Sequence, residues 1–355
     1  MTYAMHPYSL HRPTSVEEAV ALAVAHPGAK YLAGGTDLVV NMRRRIAEPE
    51  HVIALGGIAA LRGIARETGA SGGDALVIGA GTTLAEIAES AEVRKHVPIL
   101  AEAAGLVAGP TIRQMATLGG NLTLDTRCRY YNQTFFWRQA NDFCLKKEGT
   151  VCHVAPGGSF CWAAFSGDTP PVLLLLGAEL EIAGAKGMRS QPLAALYGKD
   201  GRWSLGPNEF SAAGGLAEGE LIVRVRVPVP AEGAQGVYEK VRIRDSIDYP
   251  LVGLAMLVRW KDGKPDMIGE IGLALTAVNP RPEIVPGTEA FAGKTFDAQT
   301  VEALAKLAYR TGKPMRTTVA DHNYRRAMIT SLVEKAALRI APGLREALLR
   351  KARWA

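Results

Sequence analysis

All four cysteines of the 355-residue chain, Cys128, Cys144, Cys152 and Cys161, fall inside one 34-residue window. Random placement would cluster them so tightly about once in 300 chains, so the window asks for a physical cause. The spacing is C-x15-C-x7-C-x8-C. Structural zinc sites favour tight C-x2-4-C knuckles, which this is not. An iron–sulfur cluster also takes four thiolates and tolerates uneven spacing. Two disulfides would need an oxidising compartment. Four buried free cysteines are a further reading. The neighbours are aromatic: Tyr130, Tyr131, Phe135, Phe136, Trp137, Phe143, Phe160, Trp162 and Phe165, nine of the chain's 23 aromatic residues. Such a shell would keep water off a cluster, or would form a small satellite core for a long insertion.

Hydrophobic residues make up 48% and charged residues 21%, which excludes a disordered, coiled-coil or collagen-like chain. The length predicts two or three domains. The apolar runs, Val172 to Leu176 among them, are far too short for a bilayer. The first twenty residues lack a basic stretch followed by an apolar one, so no secretory signal is expected and a cytoplasmic protein is. A net charge of +6 without a dense Lys/Arg run suits an acidic protein partner rather than nucleic acid.

Thr14 and Ser15 followed by Glu17 and Glu18 predict a doubly capped helix with its apolar face at Val16, Ala19, Val20, Ala23 and Val24. A strand over 30–33 runs into Gly34-Gly35-Thr36-Asp37, and a second covers 52–55. ALVIGAGTTLAEIA, 75–88, reads as strand, glycine turn and helix. Gly79 and Gly81 open a dinucleotide fingerprint, but Leu84 replaces the third glycine, which favours a plain turn into a helix. Residues 94–108 read as helix. Gly119-Gly120-Asn121, flanked by Thr117 and Thr123, is a second small-residue turn. Two such turns suit a ligand with phosphates, because backbone N–H groups can approach it closely; two tight turns without a ligand are the alternative. From Leu221 onward, strand patterns are followed by helices at about 297–311 and 320–341, an α+β arrangement.

The order AGGTDL (33–38), VIGAGTTL (77–84), TIRQMATLGGN (111–121), Asp168 with Pro171, and YEKVRIRDSIDYP (238–250) resembles the FAD-binding medium subunit of the xanthine dehydrogenase and carbon monoxide dehydrogenase family. The resemblance covers nearly the whole chain. It implies an α+β fold: a two-lobed, PCMH-type FAD-binding region over 1–225 (lobes of about 1–60 and 61–225) and a C-terminal α+β domain over 226–345. It places Leu32, Ala33, Gly34, Gly35, Thr36, Asp37 and Leu38 at the FAD pyrophosphate. Thr117, Gly119, Gly120 and Asn121 would line phosphate and flavin, Asp168 the flavin's polar side, with Thr111, Val107 and Leu221 as further contacts and Lys240 reaching in from the C-terminal domain. Lys240 as a plain strand lysine is the alternative. No catalytic acid, base or nucleophile stands out, as suits an electron carrier.

In this family a far shorter stretch separates the GGN turn from the aspartate; here Asn121 and Asp168 are 47 apart. The insertion, about 124–166, resembles the one in the β subunit of 4-hydroxybenzoyl-CoA reductases. That likeness implies a [4Fe-4S] cluster on Cys128, Cys144, Cys152 and Cys161. It also implies a heterotrimer, or a dimer of heterotrimers, with a molybdenum-binding large subunit and a [2Fe-2S] small subunit, and ferredoxin as electron donor. Electrons would pass through [4Fe-4S] and FAD toward molybdenum, where a phenolic hydroxyl is reductively removed. The alternatives are an oxidative molybdenum dehydrogenase and a zinc-stabilised FAD-binding scaffold without a redox relay. Arg127, Arg129, Arg138, Lys146 and Lys147 are the expected docking patch for an acidic donor. The insertion is expected to stand apart from the flavin contacts.

Overall fold

The computed structural model describes residues 5–68, 73–205, 215–244, 247–264 and 266–352; Asp245 and Ser246 of the YEKVRIRDSIDYP motif lie outside these. Among the described residues, three sheets organise the fold. The first is parallel, with β1 (Ser9–His11), β2 (Lys30–Leu32) and β3 (His51–Ala54) in the order β1-β3-β2. The helix Val16–Ala25 links β1 to β2. The Ser15 hydroxyl accepts from the Glu18 N–H at 3.1 Å, and the Thr14 N–H donates to the Glu18 carboxylate at 2.8 Å. Its buried face is Val16, Ala19, Val20 and Ala23; Val24 points to solvent.

The second sheet contains β4 (Ile64–Glu67), β5 (Ala75–Gly79), β6 (Glu179–Gly184), β7 (Gly187–Pro192) and β8 (Leu221–Pro228), ordered β4-β5-β8-β6-β7. Every pairing in it is antiparallel. The dinucleotide fingerprint needs a parallel βαβ unit, so VIGAGTTL is instead a strand, a turn and the capped helix Leu84–Glu89. There Thr83 and Glu86 exchange both capping-box bonds. The helix expected over 94–108 is two, Ala91–His96 and Pro98–Gly105. Pro98 has no N–H to continue the first and a φ suited to opening the second. The apolar run near Val172 is the buried helix Thr169–Leu175.

The third sheet holds β9 (Gln235–Val241), β10 (Val252–Trp260), β11 (Ile268–Thr276) and β12 (Glu283–Ile284), antiparallel in the order β12-β11-β10-β9. Helices Ala298–Thr311 and His322–Ile340 pack on it through Val301, Leu304, Ile329, Leu332, Val333 and Ala336. Between the second and third sheets the chain is stitched by backbone. The Ala277 N–H donates to the Phe165 carbonyl at 2.7 Å and the Phe165 N–H to the Asn279 carbonyl at 3.0 Å.

The insertion has little regular structure. Its one helix is Phe135–Ala140, capped by Thr134. Its base is closed by reciprocal bonds, Arg127 N–H to Ala164 O at 2.6 Å and Ala164 N–H to Arg127 O at 2.8 Å.

Candidate functional site

The two glycine turns are a single unit. Gly119 donates its N–H to Ala80 O at 2.8 Å, Leu118 to Thr82 O at 3.0 Å, and Leu84 to Ala116 O at 2.8 Å. Absent side chains permit this contact: a Cβ on Gly119 would lie 3.0 Å from the Ala80 Cβ, and one on Gly79 would lie 2.3 Å from the Leu61 carbonyl oxygen. The third glycine segment joins them, since a Cβ on Gly34 would sit 1.7 Å from the Met115 carbonyl oxygen. Gly35 has a φ of +72°, which only glycine adopts freely.

These turns wall a cavity of about 1060 Å³. That lies just above the roughly 300–1,000 Å³ range of small-molecule sites, a fit for a dinucleotide-sized ligand. Of the residues singled out in the sequence, Ala33, Gly34, Gly35, Thr36, Asp37, Leu38, Val107, Thr117, Gly119, Gly120, Asn121, Asp168 and Leu221 line it. Leu32, Thr111 and Lys240 stand outside the lining. Leu32 ends β2, its methyl close to where a Gly35 Cβ would fall. Sequence patterns missed Leu61, Met115, Ile222 and Tyr249, apolar or aromatic wall residues in otherwise ordinary positions. Asn41 also lines the cavity, and its buried Oδ1 has no hydrogen-bond partner among the described residues. An orphaned buried acceptor facing a cavity suits a ligand that donates to it.

Asp168 is fully buried at the cavity wall. It accepts from the Tyr238 hydroxyl at 2.7 Å and the Lys240 ammonium at 3.1 Å, and Lys240 also donates to Leu106 O at 2.9 Å. Burial pushes the Asp168 carboxyl above the usual carboxylate range, against the pull of Lys240 and Tyr238. Lys240 is thus set behind the lining, tied to Asp168 and to the Leu106 carbonyl beside Val107.

The insertion reaches this cavity, which corrects the expectation that it stands apart. Leu124, Asp125, Tyr131 and Lys147 all line it. Asp37 is ion-paired with Arg127 and accepts from the Asp125 N–H at 3.2 Å. Asp125 in turn accepts from Lys146 Nζ at 2.7 Å, the Ser204 hydroxyl at 2.6 Å and the Tyr131 hydroxyl at 2.8 Å. Burial opposes ionisation of Asp125, but Lys146 and Arg127 outweigh it and hold the carboxyl below its ordinary value. The docking patch is corrected as well. Lys146 and Arg138 are buried and Arg127 is paired with Asp37, so of the five only Arg129 is exposed, with Lys147 half-buried beside Glu148. Cations buried beside carboxylates and carbonyls serve the fold and cannot meet a partner.

Cys144, Cys152 and Cys161 are buried and Cys128 half-buried. Cys128 lies within electrostatic range of Cys144, Cys152 and Cys161. Among the described residues, no three cysteine sulfurs lie within 4.8 Å of one another. Sulfurs on one zinc ion would be about 3.8 Å apart, given Zn–S bonds of about 2.3 Å, so the set is wider than a single ion needs. Backbone N–H groups of Tyr130 and Tyr131 point at the Cys128 sulfur, and that of Ala163 at Cys161. Burial nevertheless pushes the free thiols up, to about 11 at Cys128 and about 12 at Cys161. The aromatic shell is only partial: Phe165 packs instead with Tyr197 and Trp203, and Phe136 and Trp137 are exposed.

Comparison with known proteins gives a consistent result. Residues 6–230 match the FAD binding domain in molybdopterin dehydrogenase, and residues 236–340 the CO dehydrogenase flavoprotein C-terminal domain. The chain is 31% identical to the carbon monoxide dehydrogenase medium chain of Hydrogenophaga pseudoflava, over 93% of this chain and 95% of that one. It is 33% identical to the aldehyde oxidoreductase FAD-binding subunit of Escherichia coli, over 78% and 83%. The solved carbon monoxide dehydrogenase of H. pseudoflava superimposes with a TM-score of 0.74 at 29% identity, covering 96% of this chain and 99% of that one.

Proposed function

Since the chain belongs to the family of FAD-binding medium subunits of molybdenum hydroxylases, we propose that it holds FAD in the glycine-walled cavity and relays electrons between that flavin and the other subunits of an oxidative molybdenum dehydrogenase. One observation carries the reading: three glycine segments far apart in the sequence converge on one dinucleotide-sized cavity. FAD supplies the one- and two-electron steps. The chain's residues position it. The N–H groups of the 33–38 and 117–120 turns would face the diphosphate, Val107, Leu221 and Ile222 would cover apolar ring surface, and Asp168 would hold a polar edge, itself fixed by Tyr238 and Lys240. The relatives' names, carbon monoxide, xanthine and aldehyde oxidoreductases, favour the oxidative direction. By the same analogy the partners are a molybdenum-binding large subunit and a [2Fe-2S] small subunit. Gly120→Val tests the site, because a Cβ there meets only the Thr117 hydroxyl, at 3.2 Å. The variant should fold and lose FAD, read as flavin released per chain on denaturation. Full FAD content in the folded variant would refute the assignment.

A second reading is favoured by one specific feature, the insertion that gathers all four cysteines. In it the subunit carries a [4Fe-4S] cluster on Cys128, Cys144, Cys152 and Cys161 and serves a 4-hydroxybenzoyl-CoA reductase type of enzyme, accepting electrons from ferredoxin. The wide sulfur spacing and the N–H groups aimed at Cys128 and Cys161 support a cluster over a lone zinc ion. Iron and labile sulfide in the anaerobically purified chain, about four of each, would support it. Zinc with a plain flavin spectrum would leave the scaffold reading, and neither metal would leave four free thiols.

A further inference from the structure

Away from the cavity, three histidines from separate segments meet. His11 ends β1, His51 begins β3, and His26 follows the last residue of the helix Val16–Ala25, its N–H donating to Leu22 O at 3.0 Å. Ser9 pairs with His51 across the parallel strands and His11 lies two residues beyond Ser9, so both imidazoles project from the same face of the sheet. One ring nitrogen from each of the three lies within 4.8 Å of the others. His11 Nε2 and His51 Nδ1 are 3.0 Å apart, and the His26 and His51 rings stack at 3.8 Å. All three side chains are half-buried, and none lines the cavity.

We propose that His11, His26 and His51 form a site for a divalent transition-metal ion, zinc in the first instance, that clips the chain's first strand and first helix to β3. Three neutral imidazoles without a carboxylate select Zn, Cu or Ni over Mg or Ca. Nitrogens on a tetrahedral zinc ion stand about 3.3 Å apart at Zn–N bonds of about 2.05 Å, close to the 3.0 Å between His11 and His51. Because an ion lies in the plane of each imidazole that binds it, loading would turn the stacked rings toward a shared point. His26 also places its ring at a helix C-terminus, whose free carbonyls favour a cation, and the last turn carries no basic residue to compete. The ion would tie residues 11, 26 and 51 together. The strand it holds needs such a tie: β1 is three residues long, with Ser9 and Leu10 exposed. The fourth coordination position would take water.

The test uses the FAD-loaded full chain after removal of metal with EDTA, probed with Zn2+ alone. Zinc binding is counted by equilibrium dialysis, and hydrogen exchange is followed over residues 9–11 and 51–54. His51→Gln and His26→Ala are compared with the parent. Cysteine-bound zinc is common to all three proteins, so the difference isolates the histidines. The parent should bind one zinc ion more than either variant, and zinc should slow exchange in β1 and β3 of the parent only. FAD content reports that the variants are folded. Equal zinc stoichiometry in all three folded proteins, or zinc protection of β1 that survives both substitutions, would overturn the site. If one variant misfolds, the other decides by the same measurements.

Discussion

At the scale of single residues, glycine and buried charge carry most of the meaning. Gly34 is required first by its own chain: the Met115 carbonyl fills the space of a Cβ, so its replacement disturbs the fold before it disturbs a ligand. Gly120 is the position where the two roles separate. Lys146 and Asp125 show how far burial decides. With side-chain exposures of 1% and 12%, removing Lys146 leaves a buried carboxylate compensated only in part, by the more distant charge of Arg127 and by neutral donors. Lys146→Met should therefore cost about 3–5 kcal/mol in denaturant unfolding; a loss below about 1 kcal/mol would show the pair to be solvated like a surface bridge. The pH dependence has a definite sign. Asp125 sits below its ordinary value of 3.8 in the folded chain, so its contribution is complete above 3.8 and is lost as pH falls from there through the lower folded value. The stability gap between the parent and Asp125→Asn should narrow over that window; a gap that stays constant would contradict the assignment.

At the scale of elements, the insertion is a loop held by its ends and by its polar centre. Apart from Phe135–Ala140 it has no helix, and a loop of this length in a compact domain needs a tie. Bonds to the sulfurs would supply one, since metal–thiolate binding also contributes folding energy. Cys144→Ser should speed hydrogen exchange across residues 125–165 and remove any bound iron. Because Leu124, Asp125, Tyr131 and Lys147 line the cavity and Arg127 holds Asp37, it should also weaken FAD binding, rather than leave it untouched as a separate relay would. Unchanged exchange in the insertion would show that the thiols tie nothing down.

At the scale of the whole molecule, the C-terminal sheet and the region before it are not independent bodies. Tyr238 and Ala255, on β9 and β10, belong to the same apolar core as Leu76, Ile78 and Leu173. Arg339 on the helix His322–Ile340 reaches Glu102 at 2.7 Å and Glu239 at 2.9 Å. Trp203 Nε1 donates to Pro280 O at 2.8 Å. Shared apolar area and buried hydrogen bonds couple the two parts, so calorimetry should give one principal unfolding transition. Two well-separated transitions would mean that the interface contributes little. Among the described residues no helix is long and apolar enough to cross a membrane.

Local chemistry was legible in the sequence. Ser15 and Glu18, and the helices expected at about 297–311 and 320–341, follow from caps and periodicity, because those signals act within one or two turns of chain. The glycine segments were legible as turns and, through family resemblance, as cofactor loops. Contacts across long separations decided the rest. That Gly34 needs Met115, that Lys146 and Arg138 are buried rather than presented to a partner, and that His11, His26 and His51 share one place have no local signature. Each depends on which surfaces the folded chain brings together, and burial and charge compensation follow from that assembly and not from the order of residues around any one of them.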